Sequence, residues 1–198
     1  MPVAQRMTKG IFRMRNLPIW IWIWQVKKSV QTKSSTVALP DRASFIATLQ
    51  GWGINSTSQV VVYDAHGGMF AARLWWMLRW VGHEAVAVLD GGVPAWLAQG
   101  MWLSTEASLH IRGDIADKAA LTSIVNADDI LKNLSNEKYS IVDARAPDRF
   151  RGENETMDPV GGHIPGARNR FFKENLQADG RFKSADQLRS CLLYTSPS

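Results

Sequence analysis

The chain has 198 residues, 45% hydrophobic and 21% charged, which is typical of a soluble globular protein with one large or two small domains. Its single cysteine excludes an internal disulfide bond and any metal site built from several cysteines. The net charge of +5 would favour a nucleic-acid partner, but the positive charge is concentrated in residues 1–38, which hold seven basic and no acidic residues. The rest of the chain has 16 basic and 18 acidic residues. We therefore expect no nucleic-acid partner and no cofactor.

Residues 1–38 differ from the rest of the chain and have two conventional interpretations. An acid-free start with several basic residues is typical of an organelle transit peptide. The apolar run LPIWIWIW, residues 17–24, is typical of the core of a signal sequence. The run is too short for a transmembrane helix, which needs about 20 apolar residues, so we expect no membrane association.

From residue 39 onward the pattern alternates between helices and strands. ALPDRASFIATLQGWGI predicts a turn and then a helix capped by Asp41. VVVYD and AVAVLD predict two buried parallel strands, MFAARLWWMLRWVG a largely buried helix between them, and VPAWLAQG a short helix ending at Gly100. The apolar residues on one face of the first helix are Phe45, Ile46 and Leu49. Strand–helix–strand–helix at this spacing predicts an α/β fold with a parallel sheet.

The same kind of pattern restarts near residue 124. NADDILKNL predicts a helix capped by Asn126, and YSIVDA a strand that ends at Asp143. RAPDRFRGENETMDPVGGHIPGAR is a long polar loop rich in glycine and proline. SADQLRS predicts a further helix, because Ser184 and Gln187 have the spacing of a capping box.

Two long segments carry a family resemblance: VVVYDAHGGMFAARLWWMLRWVGHEAVAVLDGGVPAW, and IVDARAPDRFRGENETMDPVGGHIPGARN followed by ADGRFKSADQLR. They resemble the first domain and the opening of the second domain of two-domain rhodanese-type sulfurtransferases. The resemblance implies tandem α/β domains with parallel central sheets flanked by helices, the second incomplete here. It also implies a cytoplasmic enzyme that moves sulfane sulfur from thiosulfate or 3-mercaptopyruvate to a thiol or cyanide. The sulfur is carried as a cysteine persulfide, in a loop whose backbone N–H groups stabilise the thiolate.

The resemblance assigns roles to four residues. Asp64 stands at the strand end where the first domain would carry a nucleophile; a carboxylate cannot carry sulfur, so this domain is expected to be a non-catalytic copy. A phosphoryl-accepting aspartate is the alternative, which DAHGG does not favour because it lacks a second acid two residues on. Arg149 of DRFRG is expected to bind the anionic donor. Asp143 and Arg145 are expected to shape the site, or else to form an ordinary ion pair in a loop.

The internal repeat predicts where the nucleophile belongs. LPDRASF matches FKSADQL, which pairs Phe45 with Leu188. Asp64 follows Phe45 by 19 residues, and the same offset places the catalytic cysteine near position 207, beyond the last residue given. The chain is therefore expected to be inactive as it stands. The four histidines lack metal-ligand spacing, so no metal site is expected; they are His66, His83, His110 and His163.

Cys191 matches Thr48 in the same repeat, in the middle of a helix, so it is not expected to be the nucleophile. CLLYTSPS, residues 191–198, can also be encoded by a nucleotide string that resembles an adaptor used in sequencing libraries. Native sequence is therefore expected to end at about Ser190.

A third interpretation of the N-terminal segment is a shift of reading frame. KGIFRMRNLPIWIWIWQ, decoded two bases later, can give GHIPNAKSADMDLDLA, which resembles the turn and acidic stretch with which the family's first domain opens. The two aspartates of DLD are forced, because alternating Trp and Ile codons contain GAT in that frame. The segment is therefore predicted to be a frameshifted remnant, with the frame restored by Ala38.

These observations predict the following organisation: a remnant at 1–38, a non-catalytic domain at 39–104, a linker at 105–123, the start of a catalytic domain at 124–190 and an adaptor-derived tail at 191–198. Two other hypotheses stay open: a non-catalytic rhodanese-like binding or regulatory module, and an unrelated α/β phosphate-handling protein. Asp158 stands where family members that prefer 3-mercaptopyruvate often carry a second arginine, which favours thiosulfate as the donor.

Overall fold

The computed structural model describes residues 11–13, 19–22, 39–103, 111–156 and 158–195, and the side chains within 39–191 of that set. These residues form two units, one ending at Ser123 and the other starting at Ile124. In the first unit the elements are β1 (Ile11–Arg13), β2 (Ile19–Trp22), α1 (Arg42–Gly51), β3 (Gln59–Val62), α2 (Met69–Trp80), β4 (Val86–Val88) and α3 (Gly92–Ala98). In the second unit they are α4 (Ala127–Asn133), β5 (Val142–Asp143), α5 (Pro147–Arg151), β6 (Arg168–Asn169), a 3-10 turn (Phe172–Asn175) and α6 (Ala185–Thr195).

The first unit contains a four-stranded sheet in the order β1-β2-β3-β4. β3 is parallel to both of its neighbours, with Val60 opposite Trp20 on one side and Val86 on the other. The predicted parallel α/β sheet is therefore confirmed. β1 is antiparallel to β2. Most of residues 1–38 lie outside the described residues, so the reading-frame hypothesis remains a prediction.

The core of the first unit forms where α1 and α2 pack against β3. The predicted cap of α1 is present, because the Asp41 side chain accepts a hydrogen bond of 2.9 Å from the backbone N–H of Ser44. α2 buries one face rather than most of its surface, and its tryptophans are only half-buried. The buried core residues are Phe45, Ile46, Leu49, Ile54, Val60, Val62, Ala71, Leu74, Met77, Leu78, Val81 and Ile115.

The second predicted strand is shorter and less buried than its sequence indicates. AVAVLD forms only the three-residue β4, and none of its side chains is fully buried. Among the described residues β4 is the last strand of the sheet, with a neighbouring strand on one side only. An apolar run does not distinguish an edge strand from a central one, and the prediction of a buried strand was wrong.

Residues 111–121 pack along the first unit, although 105–123 were expected to be a linker. Ile115 is 2% exposed, and its N–H donates to the carbonyl oxygen of Ile54. The Arg42 side chain donates from Nε to Asp117 at 2.6 Å and from Nη2 to the carbonyl oxygen of Lys118 at 2.6 Å. We call residues 111–121 the strap. The domain boundaries themselves remain predictions.

The second unit is built around a short parallel pair of strands, in which Val142 lies opposite Arg168 and Asp143 opposite Asn169. The segment predicted as an irregular polar loop contains α5, with proline in its first turn, and also β6. Taken as whole residues, none of those described in this unit is fully buried. No helix in the described part of the chain has the length and apolar character needed to cross a membrane.

Candidate functional site

Asp64 lies just beyond β3, where its carboxylate is surrounded by backbone N–H groups. Its Oδ1 accepts hydrogen bonds from the N–H of His66 at 2.7 Å and of Gly68 at 2.9 Å. Its Oδ2 accepts from the N–H of Phe70 at 2.9 Å and of Ala71 at 3.0 Å, in the first turn of α2. The loop and the helix N-terminus therefore form an anion nest, and the chain's own carboxylate occupies it.

The surroundings of Asp64 stabilise its charged form. Partial burial alone would raise the pKa of Asp64, but the four N–H donors outweigh burial and hold that pKa below its usual value. Close packing also fixes the loop on the other side. Gly92 has a φ of +56°, and a Cβ atom there would lie 2.3 Å from the carbonyl oxygen of Asp64. Asp64 thus fixes the loop and the first turn of α2, and its place as the non-catalytic counterpart of a nucleophile stays a prediction.

In the second unit, the structure brings together the predicted residues Asp143 and Arg145. The Arg145 side chain donates from Nη2 to Asp143 Oδ2 at 2.6 Å, and from Nε to both carboxylate oxygens at 3.0 and 3.1 Å. The Arg145 guanidinium holds the pKa of Asp143 below its usual value. Arg145 Nη2 also donates to the carbonyl oxygen of Gly162 at 2.6 Å, which ties the strand end to the far end of the polar loop.

Arg149, on α5, is held by two carboxylates of that loop. Its Nε and Nη2 donate to the side chain of Glu155 at distances of 2.9 to 3.1 Å. Nη2 also donates to Asp158 Oδ2 at 3.1 Å. Glu155 in turn lies 3.4 Å from Arg145 Nη1. The predicted donor-binding arginine is therefore already paired, and it shares a carboxylate with Arg145.

Sequence reasoning missed Glu155, which connects the two arginines. Its side chain is 6% exposed, whereas that of Asp158 is 40% exposed. The only signal in the sequence is an acid among the glycines and polar residues that follow RFRG. The loop folds back on itself at Gly152 and Gly161, whose backbones lie against each other. A Cβ on either residue would lie about 3 Å from the backbone of the facing segment, and Gly152 also has a φ of +77°.

The side chains of Cys191 and of the described histidines make none of the hydrogen bonds described above. Cys191 is half-buried within α6, as the internal repeat predicts. His163 stacks on Phe150 with ring centroids 3.7 Å apart, and its Nδ1 lies 2.8 Å from the carbonyl oxygen of Phe150. His110 lies outside the described residues, and among those described no His, Cys, Asp and Glu side chains cluster as metal ligands do.

Comparison with known proteins identifies relatives for most of the chain. Residues 24–99 match the Rhodanese-like domain family. The chain is 44% identical over 163 residues to a Pseudomonas aeruginosa protein named "Probable 3-mercaptopyruvate sulfurtransferase", and 35% identical over 159 residues to the thiosulfate sulfurtransferase of Bos taurus. These matches cover 80% and 78% of this chain, and 57% and 54% of the relatives.

A solved structure supports the same relationship. The crystal structure of SseA from Escherichia coli, described as a 3-mercaptopyruvate sulfotransferase with the rhodanese fold, matches with a TM-score of 0.70 and 30% sequence identity. The match covers 81% of this chain and 60% of SseA. The chain thus spans little more than half the length of these three proteins. The domain match, the sequence identities and the fold agree that this chain contains a rhodanese-like domain and is similar over most of its length to rhodanese-type sulfurtransferases.

Proposed function

We propose that the protein is a sulfurtransferase, which takes sulfane sulfur from a small anionic donor and passes it to a thiol or cyanide. The observation that carries the proposal is the position of Arg149 on α5, the short helix that follows the end of parallel strand β5, in a segment that Asp143 and Arg145 brace. A guanidinium is suited to a sulfonate-like or carboxylate group, because it offers parallel N–H donors. Arg149 is 23% exposed, so a solute can reach it.

The proposed chemistry uses a cysteine persulfide. A thiolate attacks the sulfane sulfur of thiosulfate, the sulfur–sulfur bond of the donor breaks, and sulfite leaves with the bonding electron pair. A thiol or cyanide then attacks the outer persulfide sulfur, and the cysteine thiolate is released. Backbone N–H groups in a nest would stabilise the thiolate. The nest around Asp64 supports this, because the fold there gives four such donors to one anion.

Residues 1–198 are proposed to supply the donor-binding arginine without the nucleophile. Their single cysteine, Cys191, lies within α6 rather than in a loop at a strand end. We expect that this chain, mixed with thiosulfate, will release no sulfite and gain no sulfur. Sulfite assay and intact-mass measurement test this. One equivalent of persulfide on Cys191 would contradict the proposal.

Arg149 is proposed as the anchor of the donor, and binding can be tested on this chain directly. Arg149→Ala removes charge-assisted hydrogen bonds and should weaken thiosulfate binding by roughly ten- to a hundredfold. Arg151→Ala is the matched control, because Arg151 lies on the same helix and pairs with exposed Glu153. Calorimetric titration should show a loss for the first variant and little change for the second. Equal effects would exclude Arg149 as the anchor.

Thiosulfate is the proposed donor rather than 3-mercaptopyruvate. The Asp158 carboxylate contacts Arg149 and cannot hold the carboxylate of 3-mercaptopyruvate as a second arginine at that position would, whereas thiosulfate is compact and one arginine with a nest can hold it. Titrating both compounds at equal ionic strength tests the choice. Tighter binding of 3-mercaptopyruvate would contradict it. A cytoplasmic location remains a prediction from the family resemblance.

A non-catalytic rhodanese-like module is the second candidate. The observation that favours it is the carboxylate of Asp64, which fills the one nest found in the described residues. Such a module would bind a partner without transferring sulfur. Binding of thiosulfate that Arg149→Ala abolishes would favour the sulfurtransferase, because a purely structural loop has no need for an exposed anion site.

A further inference from the structure

We propose that Glu155 is a positioning residue, which holds Arg149 in the orientation that binds the donor, and that Asp158 is a competitor that the donor displaces. The inference rests on the proposed function, because it concerns how Arg149 meets an anion. Both carboxylates contact the same guanidinium, yet the structure gives them different edges and different exposure. Their neutralisation should therefore have opposite effects on anion binding.

Glu155 occupies the side edge of the Arg149 guanidinium. Its two carboxylate oxygens accept from Nε and Nη2 at 2.9 to 3.1 Å, which fixes the plane of the group. Glu155 Oε1 also accepts from the backbone N–H of Asp158 at 3.0 Å, so the carboxylate is itself held by the loop. The Glu155 side chain is only 6% exposed. Moving it away would break a nearly buried ion pair and leave one of the two charges without its partner, so Glu155 is expected to stay in place.

The end edge of the same guanidinium is left for a ligand. Arg149 Nη1 makes no hydrogen bond to any residue the structure describes, and Nη2 makes one further bond, to Asp158. Asp158 is 40% exposed and accepts from Arg149 at a single oxygen, 3.1 Å away. A small anion could therefore take Nη1 at once and Nη2 by displacing Asp158, while Glu155 stays in place.

Glu155 also links the two arginines of the site. Its Oε2 lies 3.4 Å from Arg145 Nη1, and Arg145 is anchored to Asp143 and to the carbonyl oxygen of Gly162. Arg149 is thereby connected to the end of β5 through a chain of alternating charges. The donor-binding edge is thus fixed relative to the strand end, beyond which the polar loop begins.

The test is a titration of the 198-residue chain with sodium thiosulfate at constant ionic strength. Glu155→Gln should weaken binding by about tenfold, although it removes a negative charge, because the guanidinium loses its fixed orientation. Asp158→Asn should tighten binding by about two- to fivefold, because the competitor is gone. Glu153→Gln, in the exposed pair with Arg151, is the matched control and should change affinity by less than about twofold.

A spectroscopic measurement separates positioning from general destabilisation. The NMR signal of the Arg149 Nε–H, assigned by its loss in Arg149→Lys, should shift in Glu155→Gln and stay nearly unchanged in Asp158→Asn. If Glu155→Gln does not fold, Glu155→Asp keeps the charge but is too short to hold both arginines. Glu155→Asp should therefore also bind thiosulfate more weakly than the unsubstituted chain.

The outcomes distinguish this inference from the proposed function. One outcome is that thiosulfate binding depends on Arg149 but becomes tighter in Glu155→Gln, as it does in Asp158→Asn. This result would overturn the positioning role of Glu155, while Arg149 would still be the residue that binds the donor. An unchanged thiosulfate affinity in Glu155→Asp, together with an Arg149 Nε–H signal that does not shift in Glu155→Gln, would also overturn the positioning role. A chain that binds no thiosulfate, or binds it equally after Arg149→Ala, would overturn both.

Discussion

Replacing Asp64 by alanine should be among the most destabilising surface-accessible substitutions in the first unit. The change removes the acceptor of four backbone hydrogen bonds, each of which contributes about 0.5–1.5 kcal/mol net. Water can replace part of this, because the carboxylate is only half-buried. We therefore expect a loss at the low end of the range, about 2–3 kcal/mol. Asp41→Ala removes one such bond, at the α1 cap, and should cost about 1 kcal/mol.

Urea unfolding followed by tryptophan fluorescence measures this difference. All nine tryptophans lie at or before Trp102, within the sequence range of the first unit, so the signal reports that unit alone. Asp64→Ala should lower the urea midpoint by more than twice the shift in Asp41→Ala. A smaller effect for Asp64→Ala than for Asp41→Ala would refute the account of the nest.

The three remaining predictions concern pH, packing and the strap. The nest holds the pKa of Asp64 in the folded protein below its ordinary value of 3.8. The stabilisation that Asp64 gives is therefore present above pH 3.8 and is lost as the pH falls through the folded-state pKa. Asp64→Ala should lack this part of the pH dependence of stability in an acid-unfolding measurement. Leu78→Ala should cost about 2–5 kcal/mol by urea unfolding, and a loss below 1 kcal/mol would show that Leu78 is not in the core. Arg42→Ala removes the contacts to Asp117 and Lys118 and should speed limited proteolysis within the strap; an unchanged rate would show that Arg42 does not hold the strap in place.

Local signals in the sequence were sufficient for most of the first unit. The Asp41 cap, the apolar face of α1 and the β-branched residues of β3 depend on neighbours within a few positions, and each prediction is confirmed. The exposure of β4 was not predictable in the same way, because it depends on which strand ends the sheet. The strap was missed because its burial depends on contacts with Gln50, Ile54 and Val81, which are far away in sequence.

The candidate site shows the same division. Asp143, Arg145 and Arg149 could be named from motifs, and the structure brings all three to one loop. Glu155 could not be named, because its role arises only when the chain folds back between Gly152 and Gly162. The pairing of Arg149 with two acids was likewise invisible, since a contact between residues six or nine apart in an irregular loop follows no periodicity.

The carboxylate in the nest of the first unit is covalently part of the chain, and this has a thermodynamic consequence. A nest filled by a dissociable anion gains stability only in proportion to the logarithm of ligand concentration, once that concentration exceeds the dissociation constant. Asp64 supplies its charge at a fixed effective concentration, so the stability of this loop is independent of any donor. The first unit should therefore show the same melting temperature with or without thiosulfate, and any shift that thiosulfate causes in this chain should come from the second unit.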